Sequence, residues 1–246
     1  MRMYFFYFFL SVNFLAQKRK TGSHFSSFSV TSFVYKHNEK WGAYMELQMR
    51  SLEKFGLPDY YEIKGGPNYN FNKNNQVLIG MGRYGTYNTQ SLYLRETRFW
   101  LQYVLSHKVA RLKIDHRLRT EQRYFYFVHS KNHAQDIRFR YRLSLILPVN
   151  KSKVEKGTVF VGAHEEFFFG KQNPDIFKRN RLYGGLGYQV SSLLITQLGY
   201  LWQKEYSSLA DERNYHFVYI ALNFTLDRQK LFLSSKDPPF FSKGYN

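Results

Sequence analysis

The stretch RLKIDHRLRTEQR, residues 111–123, alternates. Arg111, Lys113, Asp115, Arg117, Arg119, Glu121 and Arg123 share one parity, while Leu112, Ile114, His116 and Leu118 fall on the other. A period of two places the two sets on opposite faces of a β-strand. The pattern returns in WGAYMELQMRS, where Trp41, Ala43, Met45, Leu47 and Met49 oppose Tyr44, Glu46, Gln48 and Arg50. In ETRFWLQY, Phe99, Leu101 and Tyr103 oppose Glu96, Arg98 and Gln102. In QDIRFRYRLSLIL, Ile137, Phe139, Tyr141, Leu143 and Leu145 oppose Asp136, Arg138, Arg140, Arg142 and Ser144. HFVYIALNFTL repeats it near the end, and helical spacing is nearly absent. Turn-prone clusters such as KHNEK, KNNQ, SKNHAQ, NKSKVEKG and GKQNPDIFKRN separate the runs. The count between them is about twelve strands, each near the ~9–11 residues of a tilted membrane strand. The predicted fold is all-β: a closed antiparallel transmembrane β-barrel over residues 28–227, with alternating short and long connections.

The flanks differ from the body. Arg2 precedes an apolar run from Met3 to Leu10 that resumes at Phe14 and Leu15 and ends at Ala16, before the polar QKRKTGS. That layout predicts a secretory signal peptide at 1–16, followed by a linker at 17–27. The run is shorter than the roughly 20 apolar residues of a spanning helix, so a membrane would be crossed by strands. After Asp227 the alternation stops, and 228–246 is read as a tail: a plug, an extra strand or a disordered end.

Charge narrows the chemistry. A formal charge of +18 with 20% aromatic residues fits either a nucleic-acid binder or an anion-handling surface. The absence of cysteine excludes disulfides, thiolate catalysis and Cys-based metal sites. Alternation alone does not say which face points inward. The export signal, the charge ladders and the aromatic runs at 124–127 and 166–169, where interfacial girdles would lie, favour apolar-out. The expected lumen lining is Arg98, Arg111, Lys113, Arg117, Arg119, Arg123, Arg138, Arg140 and Arg142, with Glu96, Asp115, Glu121 and Asp136 as acidic partners. Arginine keeps its charge and grips carboxylate or phosphate in a two-pronged fork, and rings of Arg and Lys select anions in pores. The expectation is a Gram-negative outer-membrane protein, monomeric, in contact with outer-membrane lipid and a small anionic solute or acidic saccharide. No nucleic acid, cofactor or metal and no enzymatic role is expected. The alternatives are a closed structural barrel braced by Arg–Glu pairs and an outer-membrane lipid-acting enzyme.

Three motifs invite chemistry. GMGRYG, with Gly80, Gly82 and Gly85, has dinucleotide-fingerprint spacing, but TYNTQSLYL follows it with no helical period. Glycines facing a crowded lumen or aromatic neighbours are the better reading. HEEFF opens like a zinc-protease helix at His164 but has Phe168 where a second His is required. If this run is a strand, one of Glu165 and Glu166 faces inward. His116, on the apolar face, is a candidate base, although a lone histidine there is more often an interfacial or packed residue.

The order ETRFWLQ, DHRLRTEQR, RFRYRLSLILP, HEEFFF, NRLYGGLGYQ and LGYLWQ resembles the bacterial family catalogued as domain of unknown function 2490, predicted outer-membrane β-barrels. The resemblance covers 28–227 and is most specific from Glu96 to Trp202. It implies a fold and a location, since the family has no established activity.

Overall fold

The computed structural model describes residues 22–51, 59–88, 91–171, 176–206 and 213–228. The expected signal peptide, residues 17–21 of the expected linker and the tail beyond Arg228 lie outside these residues. The described residues form eleven strands: β1 (Gly22–Lys36), β2 (Trp41–Arg50), β3 (Tyr60–Asn70), β4 (Asn75–Asn88), β5 (Ser91–Val109), β6 (Leu112–Phe127), β7 (Asn132–Pro148), β8 (Val159–Gly170), β9 (Phe177–Gln189), β10 (Leu194–Glu205) and β11 (Arg213–Asp227). Each pairs with its sequence neighbour, and β11 returns to β1 to close the barrel.

The expected count of about twelve is corrected to eleven. The strands run from 10 to 19 residues, so fewer of them fit in the same length of chain. An odd number has a geometric consequence. Up-and-down strands alternate in direction, so the first and last of an odd set point the same way, and β1 pairs β11 in parallel from Gly22↔Arg213 to Lys36↔Asp227. The other ten pairings are antiparallel. The seam is held on both faces. Phe33 stacks on Phe224 at 5.1 Å, Phe28 meets Phe217 edge-on at 5.4 Å, and Ser32 Oγ donates to Asn223 Oδ1 at 2.7 Å.

The first strand begins at Gly22, inside the segment read as linker. Short turns join most strands at one end, including 110–111, but ten residues, 149–158, join β7 to β8 there. The cluster GKQNPDIFKRN is less of a loop than its composition suggests, because β9 takes up its last four residues from Phe177. Pro67 sits within β3, where the β3–β4 register is interrupted between Gly65 and Asn68, because a proline has no N–H to donate.

The faces are sorted by parity. Glu121, Glu166 and Arg50 are 1%, 2% and 5% exposed, whereas Ile79, Leu198 and Leu186 are 65%, 61% and 60% exposed. Charge is inside and grease outside, the reverse of a soluble core. Clusters of outward aromatics lie at both ends, while Phe99, Phe139 and Tyr200 are exposed near mid-strand. Trp41, Tyr69 and Phe71 pack together near the 37–40 and 71–74 turns, and Phe167, Phe169, Phe177 and Tyr206 at the opposite end.

Candidate functional site

The inward faces of β2–β8 carry the charged wall. Glu121 on β6 is its deepest acid: Arg138 directly opposite donates through Nε at 2.9 Å, Arg140 through Nη1 at 2.6 Å, and Arg119 Nη1 lies 3.5 Å away. Glu166 on β8 takes Arg140 Nε at 2.8 Å and the Arg117 guanidinium. Glu96 on β5 holds Arg98 and Arg123, and Arg123 also reaches Asp136 at 3.2 Å. Across the barrel, Lys64 bridges Glu46 at 2.6 Å and Glu62 at 2.8 Å. Removing any one carboxylate would leave buried cations uncompensated, which costs far more than a surface pair is worth.

Of the expected lining, Arg98, Arg117, Arg119, Arg123, Arg138, Arg140 and Arg142 border one internal cavity of about 340 Å³, and so does Glu96. Glu121 lies just behind its wall. Lys113 and Asp115 pair with each other at 2.8 Å near the β5–β6 end, Lys113 being 42% exposed, so they form a rim contact. Arg111 is corrected: it is exposed in the turn, because β6 begins only at Leu112 and the alternation has no face to belong to before the strand starts.

The cavity also draws in residues that the sequence reading did not carry into the site: Arg50, Glu62, Lys64, Arg179, Arg181, His164, Glu166 and Glu205. The same parity rule, applied to MELQMR on β2, EIK on β3 and KRNR on β9, would have found most of them. Glu166 is the inward member of its pair. Glu165 faces out, where Asn180 Nδ2 donates to it at 3.2 Å.

Among the described residues the cavity lining holds twelve Lys or Arg side chains against five Glu. One cation stands apart. Arg142 faces Arg117 directly across β6 and β7. It makes no hydrogen bond or ion pair among the described residues, and its Nε is buried without a partner, as is that of Arg117. The far wall is apolar: Phe28, Val30, Leu201, Tyr215 and Phe217 belong to an inward cluster beneath the β1–β11 seam, with Tyr219 packed against it.

The motifs resolve as strands. GMGRYG lies within β4, where a Cβ on Gly80 would collide with the Trp100 ring inside the barrel and one on Gly85 with the Tyr61 ring outside. HEEFFF lies within β8, where no helix places residues 164 and 168 around a metal. His116 Nδ1 is 2.8 Å from Tyr141 Oη on the outer face, and its ring stacks on His107.

A closed barrel of up-and-down strands, apolar outside and filled by a network of arginine and glutamate within, is the class these features define. The chain belongs to the family described as protein of unknown function (DUF2490), whose model matches residues 25–214. No curated protein matches it.

Proposed function

We propose that this protein is an outer-membrane β-barrel whose interior takes up small anions, carboxylates or phosphates, with acidic saccharides among the candidates. The observation that carries the reading is the excess of cations over carboxylates around the cavity: twelve Lys or Arg line it against five Glu, and counting Glu121 and Asp136, which pair with lining arginines from behind, brings the acids only to seven. A network built only to satisfy itself would balance its charges, and the surplus is a standing field for an anion. The apolar exterior and the aromatic clusters at its two ends support a lipid-facing surface. The proposal has no catalytic step and needs no cofactor. Eleven strands lie between the ~8 whose interior side chains fill and the ~16–18 that leave an open channel, so binding and slow passage are both compatible with the size.

The ion pairs themselves favour a second reading, a closed structural barrel. Single-channel recording in a planar bilayer under a salt gradient separates the two. Anion-selective steps whose reversal potential collapses in an Arg138→Gln, Arg140→Gln, Arg142→Gln variant support uptake along the lumen. A folded barrel without conductance and without anion binding would leave the structural reading.

A further inference from the structure

Among the described residues, Arg142 is the cation of the cavity wall that makes neither a hydrogen bond nor an ion pair. Its neighbours in register are Arg117 on β6 and Glu166 on β8, and Glu166 is already engaged by Arg117 and Arg140. Like charges directly opposite destabilise a strand pair. With no carboxylate of its own, Arg142 stands at a cost to the fold. Burial of an Nε without a partner adds to that cost. Charges kept against stability mark sites where a ligand completes the pairing.

The surroundings define that ligand. His164, inward on β8, makes no hydrogen bond among the described residues and stacks on Tyr183 at 4.8 Å. Tyr183 meets Tyr219 at 4.8 Å, and Tyr219 meets Phe28 at 5.4 Å, so a file of rings leads from His164 to the apolar wall. Arg142, His164 and Tyr219 all line the same cavity. The cavity of about 340 Å³ falls at the lower end of small-molecule sites. Phe28 already carries the Arg50 guanidinium over its ring at 4.6 Å, which leaves Tyr219 as the ring of this file open to a ligand in the cavity, and a bare inorganic anion would use the guanidinium groups alone.

We infer that Arg142 and Arg117 form the anion end of a binding site for an organic acid, a carboxylate or phosphate ester carrying an aromatic or apolar body that rests on Tyr219 beside the apolar wall. This rests on the anion-uptake reading and gives it a position and a ligand class.

The test is isothermal titration of the folded full-length chain in detergent micelles with phenyl phosphate, glucose 6-phosphate and inorganic phosphate. Phenyl phosphate should bind about tenfold or more tightly than either of the others, the gain of burying one ring. Arg142→Gln should weaken it by about tenfold or more, the loss of a charged hydrogen bond. Arg142→Lys, which keeps the charge but not the fork, should fall between. The thermal midpoint of Arg142→Gln should equal or exceed that of the native barrel, so that lost binding is not lost folding. Equal affinity for all three probes, or a preference for the sugar phosphate, overturns the aromatic body. Native-like binding by Arg142→Gln overturns the subsite and leaves the anion reading standing. No binding of any probe by the native barrel overturns both.

Discussion

Arg140 Nη1 donates to Glu121 Oε1 at 2.6 Å, in a pair where the arginine side chain is 9% exposed and the carboxylate 0%. Through its Nε the same guanidinium holds Glu166 at 2.8 Å, so Arg140 ties β6 to β8 across β7. Glu121→Gln leaves Arg138 and Arg140 facing each other with one carboxylate fewer. Denaturant unfolding should show a loss of about 3–5 kcal/mol, the range for breaking a buried pair. Replacing the exposed Glu155 in the same way should leave the unfolding midpoint close to that of the native barrel, because a solvent-screened loop pair contributes little.

Gly80 and Trp100 occupy the same space from neighbouring strands. They are register partners, and a methyl at Gly80 meets the indole. Gly80→Ala should cost about 1–3 kcal/mol through overpacking. The loss in the Gly80→Ala, Trp100→Ala double variant should be smaller than the sum of the single losses, because the small residue no longer has a ring to displace.

Leu198 stands outward on β10 between Leu186 and Ile220. Arginine there should lower folding into lipid vesicles by about 2–4 kcal/mol if this face meets hydrocarbon, and arginine at Trp41, at a strand end, by about 0–1 kcal/mol. Equal yields for both variants, measured by heat-modifiable migration, would argue against a lipid-facing exterior.

In the loop joining β7 to β8, Lys151 Nζ donates to Glu155 Oε1 at 3.3 Å. That hydrogen bond holds the Glu155 carboxyl below the usual carboxylate range. A depressed carboxyl contributes order that is present above its unfolded value and lost as pH falls through the lowered one. An NMR titration of the side-chain carboxyl should therefore show a midpoint below that of a free glutamate, and Lys151→Gln should move it upward.

Several of these features were legible in the chain itself. The alternation in 111–123 and 136–145 placed Arg117, Arg119, Glu121, Arg123, Arg138, Arg140 and Arg142 on one face of their strands, because strand geometry leaves a side chain only two directions, and closure of the barrel turned that face inward. It carried Arg111 along with them, since periodicity has no term for where a strand begins. The Glu165 and Glu166 choice stayed open, because HEEFFF has no polar and apolar alternation of its own, and register with Arg142 and Arg181 turned Glu166 inward.

What the sequence determined by itself is the sorting of residues onto two faces and the all-β class, both local consequences of a two-residue repeat. Only the tertiary structure decided that eleven strands close, that the closing pair is parallel, and that Glu121 answers three arginines while Arg142 answers none. Those are distances between residues far apart in the chain, set by closure and register around the whole ring.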